Sequence, residues 1–100
     1  MTHEYTNLLS APERLVADTR IDFRRAALEH VERAVLESAP RIYVDLSTTS
    51  EVDASGLGVL VLLQKRARER MIATRLLHAG KPVRQMLLLT KLEYLFEFED

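Results

Sequence analysis

The chain has 100 residues, 47% of them hydrophobic and 29% charged, which is the size and composition of one ordinary globular domain spanning 1–100. Its 14 basic and 15 acidic residues leave a formal charge of -1, without the basic excess of a nucleic-acid binder or the imbalance of a disordered chain. With no cysteine, it has neither disulfides nor a thiolate metal site and must stand on its apolar core.

The start, Met1-Thr2-His3-Glu4-Tyr5, lacks the basic opening and apolar body of a signal peptide. Residues Tyr5 to Leu9 carry only a weak strand pattern. After the break at Ser10-Ala11-Pro12, two readings compete for Arg14-Leu15-Val16: a short strand, which we favour, or the front of one long helix. Phe23, Ala27, Leu28, Val31, Ala34 and Val35 then recur at three- and four-residue spacing, which predicts a helix. Thr19 followed by Asp22 resembles a capping box, and Pro40 lies beyond the helix end.

Arg41 to Leu46 places apolar residues at 42, 44 and 46 and is the clearest strand in the chain. A polar turn, Ser47 to Glu51, leads to Val52-Asp53-Ala54-Ser55-Gly56-Leu57-Gly58. From Leu57 to about Arg70 a second helix follows, with Val59, Leu62 and Leu63 widening its apolar arc beyond a thin stripe. The densest apolar stretch, Leu57 to Leu63, is far short of the ~18 residues of a membrane span. Thr74 to His78 reads as a strand closed by Gly80, and Pro82 suits the first turn of a third helix. Tyr94, Phe96 and Phe98 alternate with Leu95, Glu97 and Glu99 as a final strand. Alternating strands and helices point to an α/β or α+β layered fold with helices on a sheet.

Catalytic sets are thin. His3, His30 and His78 sit in different elements with no metal-ligand spacing between them. Gly56-Leu57-Gly58 lacks the third glycine of a dinucleotide fingerprint, Val61 standing in its place. The cluster Lys65-Arg66-Ala67-Arg68-Glu69-Arg70 is first of all the solvated, dipole-complementing end of a helix. No cofactor, metal or catalytic residue is expected, and the chain is not read as an enzyme.

The informative segment is Asp53 to Gly58. Asp53 or Ser55 would cap the second helix. A hydroxyl there lies where backbone N–H groups point outward, so an added phosphate would meet the positive end of the helix dipole. Such a group would repel or displace a docked partner without any catalysis by this chain.

At this motif the sequence resembles the STAS domain family of anti-sigma factor antagonists. The resemblance runs from Pro12 to Asp100, through Ile42-Tyr43-Val44-Asp45-Leu46-Ser47, Asp53-Ala54-Ser55-Gly56-Leu57-Gly58, Lys65 to Arg70, Pro82-Val83-Arg84 and Leu92-Glu93-Tyr94-Leu95-Phe96. It implies a STAS-like mixed β-sheet of about four to five strands covered by about three to four helices, mainly on one face. It also implies that Ser55 is the phosphorylated residue, with Asp53 and Gly56 supporting the phosphoacceptor. Unphosphorylated, the chain would bind an anti-sigma factor that is also a serine kinase. Phosphorylation would release it, and a phosphatase would reset it. The partner-binding surface would comprise Thr48, Thr49, Ser50, Glu51, Ala54, Leu57, Gly58 and Val59, with no direct contact to nucleic acid and no membrane insertion. A homodimer is left open, and the location implied is the cytoplasm. The sequence departs from the family's pattern in four places: the first strand, usually apolar, is the polar stretch around Tyr5 to Leu9, Ala54 replaces a second hydroxyl residue, Met71-Ile72-Ala73 replace the glycines that often follow the second helix, and Glu51 replaces an apolar residue. Alternative readings within the same resemblance are an accessory subunit of an ABC lipid-transport system and a stressosome-like scaffold component.

Overall fold

The alternation at Ile42, Val44 and Leu46 buries all three side chains, and Arg41–Asp45 forms a strand, β3. The computed structural model describes residues 7–100; His3 and the first part of the Tyr5–Leu9 segment lie outside that range. Strands β1 (Leu8–Ser10), β5 (Ala73–Leu77) and β6 (Glu97–Glu99) join β3 in one sheet of order β1-β3-β5-β6. A separate two-stranded ladder pairs β2 (Arg14–Leu15) with β4 (Glu51–Val52). Three helices complete the described fold: α1 (Arg20–Leu36), α2 (Ala54–Glu69) and α3 (Lys81–Thr90).

The layered α/β class is as expected. Every pairing within residues 7–100 is parallel, so the expected mixed sheet shows no antiparallel pair there. The reason is topological. Each successive strand of the sheet follows a helix, and a helical crossover returns the chain in the same direction.

Register sorts the two faces. Leu9, Val44, Leu76 and Phe98 stand in one row across all four strands. Against that face pack Phe23, Ala27, Val31 and Ala34 of α1, Leu57, Leu60, Leu63 and Ala67 of α2, and Val83 and Leu87 of α3, in one buried cluster. The adjacent row, Leu8, Tyr43, Arg75 and Glu97, faces the other way and is polar or half-exposed.

Three local expectations change. The short strand at Arg14–Leu15 forms in preference to a longer first helix, because fully buried Leu15 is committed to the core and its carbonyl accepts the Asp53 N–H at 3.1 Å. The Thr19–Asp22 capping box does not form. Thr19 does precede α1, but its hydroxyl donates to the Arg14 carbonyl at 2.6 Å and accepts the Val16 N–H at 3.1 Å. Lastly, the final strand is shorter than its alternation suggests. Glu93–Leu95 is a 3-10 turn, closed by Leu95 N–H to Leu92 carbonyl at 3.1 Å, and it leaves Tyr94 exposed. Only Glu97–Glu99 reaches the sheet.

Candidate functional site

The start of α2 is anchored through Asp53, which holds an extended backbone and is the helix cap. One carboxylate oxygen, Oδ1, accepts the Gly56 N–H at 2.9 Å, and the other, Oδ2, accepts the Ala17 N–H at 3.1 Å. These bonds satisfy an otherwise unpaired donor of the first helical turn and tie that turn to the segment following β2. The Gly56 N–H, ahead of the Ala17 and Ser55 N–H groups and Arg20, holds the Asp53 carboxyl below its usual range, against a smaller opposing effect of desolvation. Asp53, not Ser55, is therefore the cap, and α2 begins at Ala54 rather than Leu57.

Gly56 is required by contact. A Cβ on it would lie 1.9 Å from the Leu15 carbonyl oxygen, so only glycine lets the first turn of α2 lie against β2. Gly58 is the opposite case: a Cβ there would meet nothing within 4 Å. Ser55 lies between these glycines and the cap. It is half-buried, and its hydroxyl has no hydrogen-bond partner among the described residues. No group of three or more His, Asp or Glu side chains among those residues could hold a metal ion.

The loop before β4 is held in place. Thr49 Oγ1 donates to the Pro12 carbonyl at 2.8 Å, the Ser50 N–H donates to the Glu13 carbonyl at 2.9 Å, and Glu51 pairs with Arg14 at 3.1 Å. These ties narrow the expected partner surface. Thr49, Leu57 and Val59 are buried and cannot offer their side chains to a partner: Thr49 is spent on the loop, and the other two belong to the core. Thr48, Ser50, Glu51, Ala54 and Gly58 are exposed and surround Ser55 in sequence. Val61 and Leu62, one turn beyond Gly58, are half-exposed and extend the surface with apolar atoms. From sequence they read only as part of a wide core arc; the signal was that arc's excess width.

Among the described residues, no helix is long and apolar enough to cross a membrane. The profile of the family described as Mlab, STAS domain matches residues 5–97. No curated protein matches the sequence significantly. Among solved structures, the chain resembles a Thermotoga maritima protein assigned as an anti-sigma factor antagonist, with a TM-score of 0.78 at 19% identity over 96% of this chain and 81% of the other. It also resembles the anti-sigma factor antagonist SpoIIAA in its unphosphorylated form, with a TM-score of 0.66 at 15% identity over 98% of this chain and 84% of that one. The phosphorylated form of the Bacillus cell fate determinant SpoIIAA gives 0.65 at 15% identity, over 98% and 88%. At these identities the structures establish the fold alone. The family match, extending over nearly the whole chain and its Asp53–Gly58 motif, establishes membership: the chain belongs to the Mlab, STAS domain family.

Proposed function

We propose that the chain is a phosphorylation-controlled anti-sigma factor antagonist that binds an anti-sigma factor with serine kinase activity and is released when Ser55 is phosphorylated. The observation that carries this reading is the Ser55 hydroxyl itself: half-buried, without a hydrogen-bond partner among the described residues, in the first turn of α2, next to exposed Ala54 and three residues before exposed Gly58. A kinase can reach it without unfolding the helix. Among the described residues the nearby Asp53 carboxylate is already engaged by the Gly56 and Ala17 N–H groups, so the partner supplies both the γ-phosphoryl group of ATP and the group that takes the hydroxyl proton. The products are phosphoserine and ADP, and a phosphatase returns the hydroxyl.

The switch is electrostatic. A phosphate adds about -1.5 to -2 units of charge to a chain of formal charge -1, and does so beside the Asp53 carboxylate. The positive end of α2 tolerates that charge, whereas an acidic or apolar partner surface does not. Sequence similarity to the family and structural similarity to SpoIIAA in both forms support this reading. Action as a non-catalytic cytoplasmic module follows from it.

Incubation with ATP and the cognate kinase, followed by mass spectrometry, is expected to add one phosphate to the wild type and none to Ser55→Ala. Ser55→Asp is expected to bind the kinase at least about tenfold more weakly, the loss of one desolvated charge interaction. Labelling that survives Ser55→Ala removes the assignment.

A second reading carried by the same family resemblance is the accessory subunit of an ABC lipid-transport system docked on its ATPase. The same exposed surface would serve, with Ser55 as a contact. Co-purification with a transporter ATPase rather than a kinase, unaffected by phosphatase treatment, selects this reading.

A further inference from the structure

A cleft of about 280 Å³ opens at the opposite end of α2, between that helix, the start of β5 and the 3-10 turn. It lies just below the ~300–1,000 Å³ range of drug-sized ligand sites, which suits a smaller molecule. Gln64 and Arg68, four residues apart and so on one helical face, form one wall, and Tyr94, Leu95 and Phe96 form the other. Thr74 of β5 lies on its inner side. Gln64 is roughly two and a half turns, about 14 Å along the axis, from Ser55.

Two features set this cleft apart from an ordinary surface groove. Gln64 and Thr74 are only 7% and 3% exposed, yet Gln64 Oε1 and Thr74 Oγ1 have no hydrogen-bond partner among the described residues. Buried polar atoms are nearly always paired, so two such atoms, both covered from solvent and belonging to residues that line one cleft, mark a place where a partner is missing. Arg68, exposed at the same cleft, forms no ion pair among the described residues. The one carboxylate beside it in the inner cleft, Glu97, is already engaged by Arg41 at 2.8 Å and Arg75 at 3.0 Å. Glu69 lines only the outer continuation of the groove, together with Lys65.

These groups fix the chemistry of a complement. Gln64 Oε1 only accepts, and Thr74 Oγ1 both donates and accepts, so the inner end of the ligand must carry a donor such as an amine or hydroxyl. Arg68 calls for a carboxylate at the outer end. Leu95, Phe96 and Ile72 between them suit an apolar or aromatic body. We propose that this cleft binds a small organic acid that presents a hydrogen-bond donor to Gln64 and Thr74 and its carboxylate to Arg68. The site is separate from Ser55 and independent of the partner-switching reading.

The test is a chemical-shift titration of the isotope-labelled full chain with 4-aminobenzoate, which has the donor, the apolar ring and the carboxylate. Saturable shifts at Gln64, Thr74 and Leu95 are expected. Benzoate, without the donor, and aniline, without the charge, should each bind at least about tenfold more weakly. Arg68→Gln, at an exposed position, and Thr74→Val, which keeps the side chain's shape, should each weaken 4-aminobenzoate similarly while the spectrum stays that of the folded chain. Absence of saturable shifts up to about 10 mM overturns the proposal. Equal binding of all three probes, or unchanged affinity in both variants, overturns it as well.

Discussion

A Cβ at Gly56 would sit 1.9 Å from the Leu15 carbonyl oxygen, whereas one at Gly58 would meet nothing within 4 Å. Gly56→Ala must therefore push α2 away from β2 and unseat the Asp53 cap. It is expected to cost at least about 2–3 kcal/mol in urea unfolding, the range of an over-packed core site. Gly58→Ala should instead stabilise the fold by about 0.5–1 kcal/mol, because an exposed helical glycine carries that penalty relative to alanine. Among the described residues, nothing fills the space that a Gly58 side chain would take. On the proposed function, its use is close approach by a partner, so Gly58→Ala should weaken partner binding while raising the unfolding midpoint. A variant that is more stable and binds unchanged would assign Gly58 no such role.

All three helices end in the same motif, although no glycine stands at any of their ends. Ser38, Met71 and Lys91 each adopt a left-handed backbone, with φ of 53°, 63° and 57°. The next residue's N–H then reaches back into the last turn: Ala39 to the Ala34 carbonyl at 2.9 Å, Ile72 to Ala67 at 2.9 Å, and Leu92 to Leu87 at 3.0 Å. This is the Schellman arrangement, which normally places glycine at the left-handed position. At the end of α2 the left-handed position is held by Met71, which is 91% exposed and so contributes little packing. Met71→Gly should relieve the left-handed strain and stabilise the chain by about 0.5–1 kcal/mol, net of the extra backbone entropy lost by glycine. A lower midpoint in thermal or urea unfolding would show that the methionine packs more than its exposure suggests.

Parallel sheets are usually covered on both faces, but here the three helices supply one covered face and leave the other half-exposed. Charge fills that second face. Glu97 accepts from Arg41 at 2.8 Å and from Arg75 at 3.0 Å, while Arg75 also reaches Glu99 at 3.1 Å, so the network spans β3, β5 and β6. Ala73, opposite Arg41 in the register, carries only a methyl group over the gap that Arg41 crosses. The Arg41 guanidinium first, and Arg75 with it, hold the Glu97 carboxyl below its usual range, opposed by desolvation. A carboxyl lowered in the folded state contributes stability above its unfolded value of about 4.3, and that contribution is lost as pH falls through the folded value. The wild type should therefore lose more stability than Glu97→Gln between about pH 5 and pH 3. At neutral pH the difference should be small and should shrink with salt, because the pairs are more than a third exposed on the Glu97 side. Parallel pH profiles for the two proteins would show that the network adds nothing to folding.

The amino-acid pattern was enough for the layered class, the three helices, the central strand at Ile42–Val44, and Ser55 in a helix start shaped by Asp53 and Gly56. Those features rest on short-range rules: side-chain period, capping chemistry and a motif whose residues are contiguous. What the pattern could not supply depends on atoms distant in sequence. The Leu15 carbonyl makes Gly56 obligatory while leaving Gly58 free. The Pro12 carbonyl takes up Thr49, and the core takes up Leu57 and Val59, withdrawing three residues from the expected partner surface. The turn at Glu93–Leu95 shortens the last strand and brings Tyr94 and Leu95 opposite Gln64 and Arg68, creating a cleft that no local spacing announces. Periodicity tells which face of an element is apolar; only the packed chain decides which polar atoms find partners and which do not.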